Sequence, residues 1–274
     1  MTALQAIILA IVQGVTELFP VSSLGHAVIL PALLGWNIDE HSPGFLPFLV
    51  VMHLGTAVAL LLYFARDWYD FATAVLVRHG PVAAHERRVL CLVIVATLPA
   101  LVVGFLFEHL LRNGFGSPRF AAAFLVVNGS MLFAADRWKA KEARTLGQLR
   151  WRDALSIGLW QCLALIPGMS RSGATMSGGY LAGLNHQDAA RFSFLTATPI
   201  ILGAGVLEAP KLLHQSGAFN GVAVLAGVVA GIVAYASVAA LMRFFRAHEI
   251  KAFDPFAAYC ILSGLSAFVF LTLA

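Results

Sequence analysis

Residues 13–26 read Gln13-Gly14-Val15-Thr16-Glu17-Leu18-Phe19-Pro20-Val21-Ser22-Ser23-Leu24-Gly25-His26. This stretch places a carboxylate, two hydroxyls and an imidazole inside an otherwise apolar run. Pro20 ends the helix that precedes it, because proline has no backbone N–H and its ring clashes with the preceding turn. We therefore expect a helix before Pro20 and a second short helix after it, with polar side chains at the break.

A second stretch repeats this pattern later in the chain. Residues 161–175 read Gln161-Cys162-Leu163-Ala164-Leu165-Ile166-Pro167-Gly168-Met169-Ser170-Arg171-Ser172-Gly173-Ala174-Thr175. At an offset of 148 residues the aligned pairs are Gln13 with Gln161, Ser22 with Ser170, Ser23 with Arg171 and Gly25 with Gly173. The two prolines are one residue out of register. The pairing indicates an internal repeat.

The composition indicates a polytopic membrane protein. Of the 274 residues, 59% are hydrophobic and 12% are charged, whereas a soluble domain is about half apolar and about a quarter charged. The chain has too few charges to cover a water-exposed surface, so we expect it to lie in a bilayer. The lipid bilayer is an expected partner and nucleic acid is not.

The hydrophobic runs follow the same order twice. Segments 3–19 and 24–34 are shorter than the roughly 20 residues that a helix needs to span the bilayer, which favours a re-entrant hairpin. Three longer spans follow at 45–65, 89–107 and 120–135. A second short pair, 154–166 and 172–184, precedes spans at 192–207, 222–242 and 256–273.

The predicted fold is therefore an all-α polytopic membrane protein with two inverted repeats. Each repeat is a re-entrant helical hairpin plus three transmembrane helices, and the whole chain 1–274 forms one integral membrane domain. Repeat 1 covers residues 1–137 and repeat 2 covers residues 150–274. Inverted repeats whose broken helices meet near the midplane are a known architecture for binding sites.

The placement of Lys and Arg predicts the orientation, because cytoplasmic loops carry an excess of these residues. In the predicted topology 14 of the 18 basic residues fall on one side, three on the other, and Arg171 lies inside the membrane. The basic side holds loops 66–88 and 137–152. Its residues are Arg66, Arg78, Arg87, Arg88, Arg137, Lys139, Lys141, Arg144, Arg150, Arg152, Arg191, Arg243, Arg246 and Lys251, against Arg112, Arg119 and Lys211 opposite. We expect the basic side to be cytoplasmic.

Three ionisable residues, Glu17, His26 and Arg171, lie near the centres of the polar-interrupted segments. Such groups are costly in a membrane and are functional candidates. The guanidinium fork of Arg171 suits a phosphate, and the glycine-flanked helix start at residues 167–173 directs backbone N–H groups at an anion. Together with the nearby hydroxyls, this set suits the binding and splitting of a phosphate.

Each candidate also has a structural interpretation. Glu17 and Arg171 can form a purely structural ion pair, and His26 can be a satisfied buried histidine. The hydroxyl residues can be helix caps or interhelical hydrogen-bonding groups. Gln13 and Gln161 can likewise be interhelical hydrogen-bonding groups, and His53 either borders the site or is a packed polar residue.

The two motifs together resemble the bacitracin-resistance family of undecaprenyl-pyrophosphate phosphatases. The first family motif has Glu or Gln, three residues, Glu, and then Pro-Val-Ser-Ser and Gly-His, which matches residues 13–26. The second, Pro-Gly-x-Ser-Arg-Ser-Gly-x-Thr, matches residues 167–175 without a departure. The departures are Gln13, where many members have Glu, and Leu24, where many have Thr.

The resemblance implies hydrolysis of undecaprenyl pyrophosphate to undecaprenyl phosphate and inorganic phosphate, which recycles the lipid carrier of cell-wall synthesis. It implies a multi-pass protein of the bacterial plasma membrane whose active site opens to the periplasmic side, with bacitracin competing for the substrate. A homodimer is compatible with the resemblance but does not follow from it. The catalytic residues that it implies are Glu17, Ser23, His26 and Arg171. The hydroxyls, the glycine-flanked helix start and the arginine predict the phosphate-binding residues Ser22, Gly168, Ser170, Arg171, Ser172 and Thr175.

The resemblance also implies a divalent cation, Mg²⁺ or Ca²⁺, bound by Glu17. Gln13 is a neutral neighbour, so a site with two carboxylates is in doubt, although one carboxylate suffices when phosphate oxygens contribute. The nucleophile is Ser23, His26 or a water molecule, and the sequence does not separate these. The alternative function is a polyprenyl-phosphate transporter that uses the same inverted-repeat pocket, while a structural scaffold leaves Glu17 and Arg171 without a purpose.

Overall fold

The computed structural model describes residues 1–36, 38, 45–106, 117–138, 144–214, 221–248 and 250–273. In these ranges all regular elements are helical, apart from an isolated bridge between Arg144 and Leu184. Two short 3₁₀ helices, Leu146–Gln148 and Cys162–Leu165, flank α7. The α-helices are α1 (Ala3–Thr16), α2 (Ser23–Leu33), α3 (Phe45–Tyr63), α4 (Ala65–Leu76), α5 (Pro81–Leu106), α6 (Pro118–Arg137), α7 (Trp151–Gln161), α8 (Arg171–Leu181), α9 (His186–His214), α10 (Gly221–Ala247) and α11 (Asp254–Leu273).

Five of the described helices are long and apolar enough to cross a membrane, namely α5, α6, α9, α10 and α11. A sixth span results if α3 and α4, which are bent by 73° at a short break, count as one. Helices α1 and α2 are shorter apolar helices. The prediction of an all-α polytopic membrane protein is confirmed.

The prediction of a loop over residues 66–88 is wrong. Helix α4 begins at Ala65 and α5 begins at Pro81, so only residues 77–80 connect the two helices. Helix α4 buries Phe71 and Ala74 on one face and exposes polar and apolar residues on the other. A helix with this mixed composition is amphipathic, and a search for continuous apolar runs does not detect it.

Close helix contacts hold α3 against α10. A Cβ atom added at Gly55 would lie 2.0 Å from the carbonyl oxygen of Gly227, so only glycine allows this separation. Small residues let helix backbones approach closely in membranes, where van der Waals packing drives association. The largest fully buried side chains of the core are the aromatic residues Phe192, Phe194, Phe245 and Phe253.

The basic segments contact one another. Arg88 donates to the carbonyl oxygen of Leu149 at 2.7 Å, Arg137 pairs with Asp254 at 2.8 Å, and Arg191 pairs with Asp67. These contacts join α4, α5, α6, α9, α11 and the segment before α7, in agreement with the predicted grouping of basic residues. Arg112, Lys139 and Lys141 lie outside the described residues.

Candidate active site

The first break comprises residues 17–22, between α1 and α2. Glu17 is the C-cap of α1, and its N–H donates to the Gln13 carbonyl oxygen at 2.9 Å. Ser22 is the N-cap of α2 and has a positive φ of 68°, which is uncommon for a residue with a Cβ. Its hydroxyl accepts a hydrogen bond from Gly25 N–H at 3.2 Å. The prediction that α1 ends before Pro20 is confirmed.

The second break comprises residues 162–170, between α7 and α8. Ser170 is the N-cap of α8 and accepts from Gly173 N–H at 3.0 Å, as Ser22 does for Gly25. Gly168 has a φ of 97°, and a Cβ added there would lie 2.2 Å from the carbonyl oxygen of Ala121. Gly168 therefore lets the break approach α6, whereas its predicted role in binding phosphate stays a prediction.

The two breaks meet, as the pairing of the motifs predicts. Arg171 Nη2 lies 2.9 Å from Glu17 Oε1, and the Ser172 hydroxyl donates to the Phe19 carbonyl oxygen at 3.0 Å. Asn128 of α6 joins both breaks, because its Nδ2 donates to the Pro20 carbonyl at 2.9 Å and its Oδ1 accepts from Ser170 N–H at 3.0 Å. Asn128 is fully buried.

The second carboxylate oxygen of Glu17 collects three further contacts. Ser23 Oγ donates to Oε2 at 2.5 Å, Gln13 Nε2 donates to the same atom at 3.2 Å, and His53 Nε2 lies 3.3 Å from it. Glu17 is only 7% exposed, so its charge is held by these groups and by Arg171 rather than by water. A hydroxyl bonded to a carboxylate in this way can lose its proton to that carboxylate when it attacks.

His26 bonds in a different direction from Ser23. Its Nδ1 lies 2.7 Å from the Ser22 carbonyl oxygen, and its Nε2 lies 2.8 Å from the hydroxyl of Tyr259 on α11. The imidazole is therefore held between α2 and α11, while Ser23 bonds to Glu17. This arrangement favours Glu17 over His26 as the base for Ser23.

The remaining predicted phosphate-binding hydroxyls lie on the side of α8. Ser170 Oγ and Ser172 Oγ are 3.0 Å apart, and Thr175 Oγ1 lies 2.5 Å from Ser193 Oγ. Arg171 Nη1 also donates to the Ser193 carbonyl oxygen at 3.4 Å. These hydroxyls bond to one another and to α9, next to the arginine that they were predicted to assist.

Two residues that contact the predicted site were missed by the sequence reasoning, namely Asn128 and Tyr259. Each is a polar residue in a mostly apolar span. For His53 the sequence left a position beside the site and a packing role open, and the structure places it in contact with Glu17. The available signal was that a polar group inside a membrane span needs a partner, although the partner's identity depends on tertiary contacts.

A comparison with family models decides the kinship. The model described as "Bacitracin resistance protein BacA" matches residues 6–266. The chain belongs to the BacA family. The resemblance inferred from the two motifs is thereby confirmed over nearly the whole chain.

Curated relatives of this BacA family member match along almost their full length. The chain is 54% identical to the undecaprenyl-diphosphatase of Granulibacter bethesdensis, covering 100% of this chain and 98% of the relative. It is 54% identical to that of Acidiphilium cryptum, covering 96% of each chain. It is 50% identical to that of Gluconacetobacter diazotrophicus, covering 99% of this chain and 98% of the relative.

Glu17 and the Oε1 of Gln13 are the oxygen ligands that a divalent cation site here would use, after the Gln13 amide turns, because it presents Nε2 to Glu17. The Gln13 side-chain Oε1 is buried and has no hydrogen-bond partner among the described residues, while its Nε2 bonds to Glu17. An amide oxygen and a carboxylate four residues apart on one helix are hard ligands of the kind that Mg²⁺ and Ca²⁺ bind. Within the described ranges no group of three or more His, Cys, Asp or Glu side chains could hold a metal alone.

Proposed function

We propose that the protein hydrolyses undecaprenyl pyrophosphate to undecaprenyl phosphate and inorganic phosphate, recycling the lipid carrier of cell-wall synthesis. The observation that carries this proposal is the buried Glu17 carboxylate, which bonds Ser23 at 2.5 Å through one oxygen and Arg171 at 2.9 Å through the other. The proposed nucleophile Ser23, its base Glu17 and the phosphate-binding guanidinium of Arg171 are therefore joined through one carboxylate. The names of relatives that are 50–54% identical support the same activity.

We propose that the chain is built as two inverted repeats, each with a re-entrant hairpin, α1–α2 and α7–α8. Support comes from the shortness of the helices at each break, which have 11 to 14 residues, and from the contacts between the two halves of the chain at these breaks. The basic end of the bundle then faces the cytoplasm by the positive-inside rule. The active site opens to the periplasmic side of the plasma membrane, and bacitracin competes with the enzyme for the lipid pyrophosphate.

The substrate's pyrophosphate binds between the two breaks, and its polyprenyl tail stays in the lipid. Arg171 is 12% exposed at its side chain, so its guanidinium can turn from Glu17 towards an arriving phosphate. Charge-assisted, bidentate bonds from arginine suit phosphate oxygens. The hydroxyls of Ser22, Ser170, Ser172 and Thr175 and the backbone near Gly168 border the same region and are the proposed secondary phosphate contacts.

In the first chemical step Ser23 is the nucleophile. Its Oγ attacks the terminal phosphorus, its proton passes to Glu17, and the bond between that phosphorus and the bridging oxygen breaks. Undecaprenyl phosphate leaves, and phosphate remains on Ser23. Arg171 stabilises the negative charge that develops on the transferring group, which is the largest electrostatic contribution expected in such a site.

In the second step a water molecule attacks the phosphoserine. His26 accepts one proton of this water through the Nε2 side of its ring, and the Ser23 oxygen leaves with the proton held by Glu17. Inorganic phosphate departs and both carboxylate and hydroxyl return to their first state. The alternatives in which His26 or water is the first nucleophile lack a contact comparable with the short bond from Ser23 to Glu17.

A divalent cation, Mg²⁺ or Ca²⁺, would be held by Glu17 and by the Oε1 of Gln13, with phosphate oxygens completing the set. Bound there, it would neutralise charge on the pyrophosphate. The transporter alternative is less favoured, because binding and carrying a lipid phosphate does not use a hydroxyl hydrogen-bonded to a buried carboxylate.

The test is phosphate release from a polyprenyl pyrophosphate by purified protein in detergent, with Mg²⁺, with Ca²⁺ and with chelator. We expect release by the natural protein, a phosphate on Ser23 in rapidly quenched samples, and neither in Ser23→Ala. Phosphate trapped on His26 would reassign the nucleophile. Lipid binding without release under every cation condition would contradict the hydrolase and favour the transporter.

A further inference from the structure

Both ring nitrogens of His26 are occupied in the structure. The Nδ1 atom lies 2.7 Å from the carbonyl oxygen of Ser22. A carbonyl oxygen can only accept, so Nδ1 carries the hydrogen and the lone pair of the neutral ring lies on Nε2. That second atom lies 2.8 Å from the hydroxyl of Tyr259, which therefore donates to it.

Ring stacking and two neighbouring contacts of α11 hold Tyr259 against His26. The two rings are nearly parallel, with an interplanar angle of 9° and centroids 5.7 Å apart. Neighbouring residues on the same face of α11 also contact the first break, since Phe256 packs edge-on against Phe19 and Cys260 lies beside the Pro20 carbonyl. Helix α11 thus fixes Tyr259 against α2 with three adjacent contacts.

The Tyr259 hydroxyl can still accept a hydrogen bond after it donates to His26. The residue is 46% exposed, whereas Ser22 beside the other ring nitrogen is buried. A phenol can donate one hydrogen bond and accept another at the same time. A water molecule bound in the site can therefore donate to the Tyr259 oxygen while the Tyr259 hydrogen points to His26.

We infer that Tyr259 is a proton relay to His26 in the hydrolysis of the phosphorylated enzyme. This inference rests on the proposed function. The attacking water gives a proton to the Tyr259 oxygen as its own oxygen bonds to phosphorus. At the same time the Tyr259 O–H bond breaks and its hydrogen passes to Nε2, so Tyr259 ends neutral and His26 ends as the imidazolium, which later returns a proton to solvent.

The test compares Tyr259→Phe with a matched control, Tyr235→Phe. Tyr235 is 47% exposed and packs edge-on against Tyr63 of α3, away from His26, so its hydroxyl has no part in the relay. Tyr259→Phe keeps the ring that stacks on His26 and removes only the hydroxyl. We expect it to lower kcat about 10- to 100-fold with KM within about threefold, since acid–base groups contribute about 10²–10⁴ and water can partly replace the hydroxyl.

A proton inventory in mixtures of H₂O and D₂O, measured on dephosphorylation of trapped phosphoenzyme, provides the specific readout. The relay adds one transferred proton to those that move in this step without it, so the plot is expected to be more strongly curved for the natural protein than for Tyr259→Phe. Thermal unfolding in detergent checks the fold of both variants, and the ¹⁵N resonance of His26 Nε2 is expected to change in Tyr259→Phe alone.

The outcomes separate the relay from the proposed function. If the natural protein releases no phosphate, the proposed function fails. If the natural protein is active and Tyr259→Phe keeps its kcat, or loses kcat with an unchanged curved plot, the relay is wrong and the hydrolase stands. If Tyr259→Phe unfolds at a lower temperature, an unchanged Nε2 resonance still contradicts the hydrogen bond on which the relay depends.

Discussion

The first and second breaks share one backbone pattern but differ in the ionisable side chains beside them. In each, a short helix ends, the chain passes a proline, and a serine caps the next helix through the N–H three residues later. The first break contains Glu17, whereas residues 162–170 contain no Asp, Glu, Lys, Arg or His. Helix α2 then opens with Ser23, where α8 opens with Arg171.

This difference assigns the two halves of the site. In the proposed mechanism, the first break and the start of α2 supply the carboxylate and the nucleophile, and the start of α8 supplies the guanidinium that binds phosphate. Neither set is sufficient alone, because a carboxylate repels phosphate and an arginine without a nucleophile only binds it. The site exists where Glu17 and Arg171 meet.

The largest expected effect comes from removing either charge of this pair. We expect Arg171→Ala and Glu17→Ala each to reduce turnover by at least about 100-fold, the loss seen when a positioned electrostatic group is deleted. Arg119→Ala is the control, because Arg119 donates to the Leu271 carbonyl oxygen on the last turn of α11. Near-normal phosphate release by either variant would show that the ion pair between Glu17 and Arg171 has no role in catalysis.

A second effect is specific to the second break. Gly168→Ala is expected to lower the free energy of unfolding by about 2 kcal/mol or more, because alanine disfavours the left-handed region by about 1–2 kcal/mol and its Cβ would meet the Ala121 carbonyl at 2.2 Å. Gly104→Ala in α5 is the control, since its nearest neighbour would lie 3.6 Å away. Thermal unfolding in detergent measures both. Equal midpoints for the two variants would show that the second break tolerates a different backbone.

The residue that joins the breaks gives the next effect. Asn128→Ala leaves the Pro20 carbonyl and the Ser170 N–H without their partner, and unpaired buried groups cost about 1–3 kcal/mol each. We expect turnover to fall about tenfold, with Asn128→Asp less impaired because its oxygen can still accept from Ser170. The rate of phosphate release from a saturating substrate measures both variants. If Asn128→Asp were as damaging as Asn128→Ala, the bond to Pro20 would be the important one, and the first break would depend on Asn128 more than the second.

The smallest effect tests the equivalence of the two serine caps. Ser22→Ala and Ser170→Ala each remove one N-cap, which typically costs about 1 kcal/mol. Similar decreases in the free energy of unfolding are expected for both. Clearly unequal decreases would show that one serine does more than cap its helix, and for Ser170 the bond to Ser172 is then the first explanation.

The sequence predicted those features that depend on neighbouring residues. Pro20 and Pro167-Gly168 placed both breaks, and the inverted-repeat prediction implied that the broken helices would meet, as they do at Glu17 and Arg171. Helix α4 was missed because it is amphipathic, and its polar residues interrupt the continuous apolar run that was taken as the sign of a helix. The predicted hydroxyl set was found beside Arg171, but the sequence did not tell which of its members cap helices and which bond to side chains.

The contacts made across long separations could not be predicted. His53 contacts Glu17 from α3. Tyr259 bonds to His26 although the two residues are 233 positions apart in the sequence. A lone polar residue in an apolar span needs a partner, yet many arrangements of the helices would provide one. Only the packing of α3 and α11 against the first break selects these partners.

The ion pair between Glu17 and Arg171 also constrains how the protein is made. Glu17 leaves the ribosome 154 residues before its partner, so the first half of the chain enters the membrane with a carboxylate whose guanidinium does not yet exist. An unpaired charge in the bilayer interior costs several kcal/mol. Until α8 inserts, the nascent first half must keep Glu17 protonated, wet or against His53. Helix α8, in the second half of the chain, therefore completes the insertion of the first half, and a chain that stops before Arg171 is expected to be removed by membrane quality control.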